Sequence, residues 1–239
     1  MKNRLLDFKL GIRDCLPTIF GYWSIGFAAG AIGSISGFSL TDIILLSAFL
    51  YAGSAQFLFY SLYTGGAEIA PILVAVLLVN IRYLLMSSYM ARFFNGASIT
   101  EKFISGMLLT DETFGVAVQK TNKKNELSFW WMLGLNLSAY INWVISNIFG
   151  AIFANFIPYS FSQKLGFSLT AMFIGLLVLN FFSSNRKRLE LTAIIIAAIL
   201  IILLNIHANF DSNLLVIGST IISATICAII MRVNKNEQS

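Results

Sequence analysis

The sequence predicts an all-α polytopic membrane protein, and two observations carry that prediction. The 239-residue chain is 57% hydrophobic and only 11% charged, with a mean hydropathy of +0.79. A soluble globule of this length needs more polar surface than that. The apolar residues also form continuous runs, such as residues 191–204, whereas a membrane β-barrel would show strands of about ten alternating residues. The predicted fold class is therefore a helical bundle in a bilayer.

Eight apolar segments are candidates for helices that cross the bilayer. They cover residues 17–36, 42–63, 69–92, 102–119, 129–157, 167–183, 189–206 and 212–232. With the N-terminus in the cytoplasm, the inside regions hold most of the Lys and Arg residues, and only Arg92, Lys102 and Lys164 fall in outside loops. This distribution obeys the positive-inside rule and places both termini in the cytoplasm. Hydropathy alone would reject the fourth segment, because it contains Asp111 and Glu112. We keep it because the Lys and Arg residues follow the positive-inside rule when it crosses the bilayer.

Other features of the sequence are consistent with one transmembrane domain over residues 1–239. The net charge of +5 comes from short basic clusters between apolar segments, which report topology rather than nucleic-acid binding. The first apolar stretch is about spanning length, so we interpret it as an uncleaved helix rather than a signal peptide. Cys15 and Cys227 lie toward the cytoplasmic side, where thiols stay reduced, and they predict neither a disulfide nor a metal site.

Two sequence matches in the same order suggest an internal duplication. Trp23 is followed seven residues later by Gly-Ala-Ile, as is Trp143, and Gly-Phe-Ser-Leu-Thr occurs at 37–41 and again at 166–170. The matches predict two four-helix repeats, residues 14–120 and 129–233. The repeats are parallel by segment count, and they become inverted if one segment is re-entrant. Transporters commonly arise from such duplications, with the solute site near the midplane.

Polar residues at the centres of three neighbouring segments predict a site at the midplane. The second segment is centred on Ala52-Gly53-Ser54-Ala55 followed by Gln56, the third on Asn80 and Arg82, and the fourth on Asp111 and Glu112. An arginine at the bilayer centre costs roughly 2.5 to 3.5 kcal/mol on insertion scales, so it needs compensation. Four small residues in a row permit local unwinding, which frees backbone groups to bind a solute.

Structural interpretations of the same residues stay open. Arg82 could snorkel to an interface or pair with a neighbouring helix, and the small residues could serve ordinary helix packing. Adjacent residues on a helix point about 100° apart, so only one of Asp111 and Glu112 is expected to face a small cavity.

Four stretches in the first half of the chain resemble the AzlC family of branched-chain amino acid exporters. They are Pro17 with Gly21 and Gly26, Ala52 to Phe57, Asn80 to Tyr83 with Leu85-Met86, and Thr110 to Phe114. The second half is similar in hydropathy only. The resemblance implies export of valine, leucine, isoleucine or analogues across a bacterial plasma membrane, with a small second membrane subunit of the AzlD type. Tyr83 stands where family members often carry histidine, which argues against a proton-handling role there.

The implied substrate fits the chemistry of the predicted site. An amino-acid zwitterion needs a cation for its carboxylate and an anion for its ammonium. Arg82 suits the first role and Asp111 or Glu112 the second, with hydrogen bonds from amide side chains. The predicted substrate-binding residues are Gly53, Ser54, Gln56, Asn80, Arg82, Asp111 and Glu112. No cofactor, catalytic residue or metal site is predicted.

Two other functions remain open. A non-transporting assembly subunit could carry the same midplane charges, because such charges also hold helices together. A transporter of another small zwitterionic or anionic metabolite would use the same chemistry. A membrane enzyme is disfavoured, because the sequence has one histidine and scattered carboxylates. The sequence has no phosphate-loop motif, so an ion gradient or the substrate gradient is expected to drive transport.

Overall fold

A computed structural model describes residues 2–156, 174, 177–178, 181–182, 187–207, 219, 222–223, 225–227 and 229. Within these residues the regular secondary structure is helical and contains no strand, which confirms the all-α prediction. The chain divides into two compact units, Met1–Phe173 and Ile174–Ser239. Two helices of the first unit, Arg4–Ile35 and Ile69–Ala91, are long and apolar enough to cross a bilayer.

Seven helices of the first unit position the candidate site. They are α1 (Lys2–Ile35), α2 (Leu40–Leu45) with a π-helical turn (Leu46–Leu50), α3 (Gly53–Thr64), α4 (Ile69–Ala91), α5 (Ile99–Met107), α6 (Asp111–Lys124) and α7 (Phe129–Phe153). A 3₁₀ turn, Ala154–Phe156, follows α7, and the second unit contains α8 (Lys187–His207). The predicted segments 17–36, 69–92, 129–157 and 189–206 correspond to α1, α4, α7 and α8. Segments 167–183 and 212–232 lie largely outside the described residues.

The second predicted segment forms a hairpin rather than one crossing helix. The π-helical turn after α2 ends at Tyr51, which has a left-handed φ of 41°, and α3 begins at Gly53. The ring of Phe38, just before α2, lies 5.0 Å from the ring of Tyr63, near the end of α3. One straight helix would separate these positions by roughly 35 Å at 1.5 Å per residue. The α2–α3 hairpin therefore enters the bundle and returns to the same end.

The fourth predicted segment folds back in the same way. Thr110 caps α6, because its hydroxyl accepts from the Thr113 N–H while its own N–H donates to the Thr113 hydroxyl at 2.9 Å. The chain before α5 meets the chain after α6, since the Leu127 N–H donates to the Phe93 carbonyl at 2.9 Å. The prediction that segments 42–63 and 102–119 are crossing helices is therefore wrong. Hydropathy detects apolar residues, and it does not detect the direction that the chain takes after a helix break.

The two hairpins enter from opposite ends of α4 and begin with the same motif. Residues 37–42 read Gly-Phe-Ser-Leu-Thr-Asp, and residues 96–101 read Gly-Ala-Ser-Ile-Thr-Glu. In each copy the glycine has a positive φ, 88° at Gly37 and 69° at Gly96. The serine and the acid of each copy form a reciprocal capping box that starts α2 or α5. This pair indicates an inverted repeat within residues 1–124.

Helices α1 and α7 run in the same direction and pack closely through glycines. A Cβ added at any of four glycines would collide with a backbone carbonyl of the other helix; the pairs are Gly11 with Trp131, Gly30 with Asn147, Gly134 with Phe8, and Gly150 with Phe27. Such close approach requires glycine at the contact. Gly30 and Gly150 are equivalent positions in the predicted duplication of residues 14–120 and 129–233. That duplication falls partly outside the described residues and stays a prediction.

Alanine in place of Gly30 is expected to lower the thermal stability of the purified protein. The new Cβ would meet the Asn147 carbonyl and force α1 and α7 apart, and overpacking of this kind typically costs about 1 to 3 kcal/mol. Gly21→Ala is the matched control, because a Cβ there, on the same helix, meets open space among the described residues. Thermal unfolding in detergent measures the difference. Equal stability of the two variants would show that α1 and α7 are not in contact at Gly30.

Candidate functional site

The two helix breaks meet at a small enclosed cavity beside the middle of α4. Its lining comes from α1, α4, α7 and both breaks, and comprises Tyr22, Ile25, Tyr51, Gly53, Ser54, Arg82, Tyr83, Thr110, Asp111, Glu112 and Trp143. Its volume is about 20 Å³, which is room for a single water molecule. The structure therefore shows the site closed around a space too small for an organic solute.

Arg82 joins the two hairpins at this cavity. Its Nη2 lies 3.0 Å from Asp111 Oδ2 and donates to the Ser54 hydroxyl at 2.6 Å. The guanidinium also lies 5.0 Å from the centre of the Tyr83 ring. The side chains of Arg82 and Asp111 are 27% and 19% exposed, so solvent screens their attraction only in part. The arginine is thus compensated by a carboxylate from one hairpin and a hydroxyl from the other.

Both half-helices that leave the breaks have their N-termini at the cavity. The N-terminus of a helix carries partial positive charge on its unpaired amides. In α6 this partial positive charge is compensated by the Thr110 cap and by Asp111 and Glu112 in the first turn. In α3 the N-cap position is Ala52, which supplies no side-chain hydrogen bond. The start of α6 is consequently acidic, whereas the start of α3 presents uncapped amides.

Asp111 and Glu112 both line the cavity, so the expectation that only one of them faces it is wrong. That expectation assumed a site on the side of a continuous helix. Both carboxylates instead lie in the first turn of α6, where the helix end itself forms part of the wall. Beside them, the hydroxyls of Tyr22 and Thr110 are hydrogen-bonded to each other. The described residues include no group of His, Cys, Asp or Glu that could hold a metal ion.

Gln56 and Asn80, two of the predicted site residues, are absent from the lining of the cavity as described. Gln56 is fully buried, and its Nε2 donates to the Tyr60 hydroxyl and to Asn147 Oδ1, both at 2.9 Å. It thereby ties α3 to α7. The Oδ1 of Asn80 is buried, with no hydrogen-bond partner in the described part of the chain. Depth along a helix selected both residues, but depth does not determine the face on which a side chain lies.

Helix α7 holds both hairpins through buried amides that the sequence analysis missed. Asn147 accepts the hydrogen bond from Gln56 of α3, and Asn136 Nδ2 donates to the Ser105 carbonyl of α5 at 2.9 Å. Both asparagines are fully buried. Asparagines inside the apolar fifth segment were a signal that could have found them, because amides at membrane depth seek partners on other helices.

Comparison with known proteins assigns the family. The family model described as AzlC protein matches residues 17–157, more than half of the chain. The chain belongs to the AzlC family. The match includes every residue that lines the cavity, and it confirms the resemblance noted in the sequence.

Several relatives of this chain are named as membrane proteins, and one is named as a transport protein. Inner membrane protein YgaZ of Escherichia coli (strain K12) is 27% identical over 197 residues, which cover 80% of each chain. An uncharacterized membrane protein of Archaeoglobus fulgidus is 28% identical over 175 residues, 72% of this chain and 75% of the relative. The branched-chain amino acid transport protein AzlC of Bacillus subtilis (strain 168) is 25% identical over 188 residues, 78% of this chain and 73% of the relative. No solved structure matches. The chain is accordingly a membrane protein with a transport-related role.

Proposed function

We propose that this protein exports branched-chain amino acids, or close analogues, across the bacterial cytoplasmic membrane. The observation that carries the proposal is the Arg82–Asp111 ion pair, which lies beside two half-helix N-termini and near the middle of a membrane-length helix. Ionisable residues at that depth are costly and mark solute pathways. The relative named as a branched-chain amino acid transport protein supports the substrate class.

The proposed site contains a group for each part of an aliphatic amino acid. Asp111 and Glu112 supply negative charge for the ammonium, and Arg82 with the first turn of α3 supplies donors for the carboxylate. Apolar and aromatic side chains of the same lining, such as Ile25, offer contacts for the hydrocarbon side chain. The proposed substrate contacts are Gly53, Ser54, Arg82, Asp111 and Glu112. We assign Gln56 and Asn80 a supporting role, in which Gln56 fixes the position of α3 against α7.

Transport through this site requires movement, because the cavity holds about 20 Å³. Each hairpin covers the cavity from one end of α4. We propose that the hairpins open in turn, so that one exposes the site to the cytoplasm and the other to the outside. The ion pair would then form when the site is empty and closed, and the solute would take its place between the charges.

We also propose an orientation with six crossing helices, two hairpins and both termini in the cytoplasm. In this arrangement α1 and α4 place the loops between residues 36 and 68 outside. These residues include Asp42 and Glu68 and contain no Lys or Arg. Arg92 and Lys102, which eight crossing helices would place outside, become cytoplasmic. The basic residues then follow the positive-inside rule more closely.

The function is tested by measuring intracellular valine and leucine in bacterial cells fed branched-chain dipeptides. Cells that produce the protein together with a small membrane subunit of the AzlD type are expected to hold several-fold less valine and leucine than cells that lack the chain. Alanine after feeding with alanine dipeptides serves as the control solute and should not change. Equal valine and leucine in both kinds of cells would contradict the proposal.

A small membrane subunit of the AzlD type is the proposed partner. Leucines on α4 are strongly exposed in the isolated chain, with Leu77 at 70% and Leu85 at 68%, so a neighbouring helix has an apolar surface to contact. We expect little or no export from cells that produce this chain alone, and restored export when the small subunit is co-expressed. Full export by the single chain in reconstituted vesicles would exclude an obligatory partner.

A further inference from the structure

We propose that the first turn of α3 and the indole N–H of Trp143 form the subsite for the carboxylate of the transported solute. The subsite lies at the start of α3, and the acidic residues of the same lining lie in the first turn of α6. The ligand group is the free carboxylate of a small aliphatic amino acid. This inference rests on the proposed function, because it assigns the two ends of the zwitterion to separate parts of one site.

The first observation is the uncapped and buried start of α3. Helix α3 is 12 residues long, and its N-cap Ala52 is extended (φ −147°, ψ 106°) and provides no side-chain acceptor. The Gln56 N–H donates to the Ala52 carbonyl at 2.9 Å, as in any first helical turn. The amides of Gly53, Ser54 and Ala55 precede it and have no acceptor within the helix. Ser54 is 1% exposed and Ala55 is fully buried, so bulk water does not provide an acceptor for their amides, and Gly53, which is partly exposed, lines the cavity.

The second observation is an unpaired donor in the same lining. Trp143 is 4% exposed, and its Nε1 is buried without a hydrogen-bond partner among the residues described. Arg82 Nε is likewise buried and unpaired within residues 2–156. A buried donor that lacks an acceptor is destabilising, and an entering acceptor removes that penalty. Three kinds of N–H group on residues of one cavity lining therefore lack an acceptor: the first amides of α3, the indole of Trp143 and the Nε of Arg82.

A carboxylate fits these donors better than a cation or a neutral group. Its two oxygens accept several hydrogen bonds, and its charge is favoured at a helix N-terminus. The acidic residues of the lining, Asp111 and Glu112, lie at the start of α6. In the closed site Arg82 bonds Asp111 and Ser54 through Nη2, and its Nε has no partner among the described residues. The unpaired donors of the lining lie on α3, α4 and α7 and its carboxylates on α6, so the lining contains groups for both ends of a zwitterion.

Trp143→Phe tests the indole N–H, because phenylalanine keeps an aromatic ring and removes the donor. Equilibrium binding to the purified protein with its partner subunit is measured for three probes. L-leucine has both charged groups, 4-methylpentanoate has only the carboxylate, and 3-methylbutylamine has only the ammonium. We expect the variant to bind leucine and 4-methylpentanoate roughly tenfold to a hundredfold more weakly, as for a lost hydrogen bond to a charged group. The affinity for 3-methylbutylamine should stay within about twofold of the wild type.

Gly53→Pro tests the helix amides. Proline lacks the N–H and is well tolerated at the first position of a helix, and the extended Ala52 suits a residue that precedes proline. Gly53→Ala adds bulk at the same position and keeps the N–H, so it is the matched control. We expect Gly53→Pro to weaken 4-methylpentanoate binding about tenfold beyond any effect of Gly53→Ala.

The outcomes separate this inference from the proposed function. If wild-type protein binds leucine, the subsite is wrong and the proposed function stands when Trp143→Phe binds 4-methylpentanoate as tightly as the wild type and Gly53→Pro binds it as tightly as Gly53→Ala. If Trp143→Phe weakens all three probes equally, Trp143 has only a structural role and the subsite is again wrong. If the wild type binds none of the probes, the proposed function fails and the subsite fails with it.

Discussion

Glutamine in place of Arg82 is expected to reduce export of leucine and valine by about a hundredfold or more. The change removes a positive charge and two hydrogen bonds at the point where the hairpins meet, and each bond of that kind contributes about 1.5 to 3 kcal/mol. Export is measured as efflux from loaded cells, normalised to the amount of folded protein recovered in detergent. The normalised rate should fall far more than the folded yield.

Two further variants are needed to interpret the export rate of Arg82→Gln. Arg82→Lys keeps the charge and loses the planar fork, so its normalised export is also expected to collapse. Arg92→Gln removes an arginine at the end of the same helix, where the guanidinium lies 3.8 Å over the Tyr89 ring, and export should be unaffected. Normal export by Arg82→Gln would show that Arg82 is not part of the transport site.

Cysteines placed in the loops on either side of α4 are expected to give opposite labelling in intact cells. A cysteine at Glu68 should react with an impermeant thiol reagent, and one at Asn95 should be protected until the cells are opened. The reason is that each hairpin returns the chain to the side from which it entered. Both positions are exposed on the isolated chain, so protection reports the membrane side rather than burial.

The labelling experiment uses a background in which Cys15 and Cys227 are replaced by serine. Thr41→Cys, outside in either topology, controls for reagent access, and Lys9→Cys, inside in either topology, controls for cell integrity. Protection at Glu68 with labelling at Asn95 would contradict the six-helix orientation and support eight crossing helices.

The apolar parts of the continuous helices were predicted well because hydropathy measures what a bilayer requires of them, although α1 begins at Lys2, before the predicted segment 17–36. The predicted segment 69–92 and the observed α4, Ile69–Ala91, differ little. The break at Ala52 was one of two interpretations left open by the sequence, since four small residues in a row permit unwinding but also ordinary helix packing. The reversal of the chain after each break was missed. A capping signal such as Thr110 with Thr113, inside a segment that hydropathy treats as one helix, is the local pattern that marks a new helix start.

The contacts of the site were predictable in part. Depth along the helices grouped Ser54, Arg82 and Asp111, and in the structure Arg82 contacts both Ser54 and Asp111. Depth alone could not select Trp143, because a tryptophan in an apolar helix has no feature that shows its N–H to be unpaired. Nor could depth exclude Gln56, whose amide turns toward α7 instead of the cavity. The face of a helix is set by packing with partners distant in sequence.

The central claim is that Arg82 and Asp111 bind the solute and do not merely bind each other. The most direct test is the double variant Arg82→Gln with Asp111→Asn, compared with both single variants. Removing both charges leaves no uncompensated ion at the cavity, so folded yield should recover from any loss in the single variants. Export of branched-chain amino acids, per folded molecule, should nevertheless remain abolished. Export by the double variant at close to the wild-type rate would show that neither charge binds the solute.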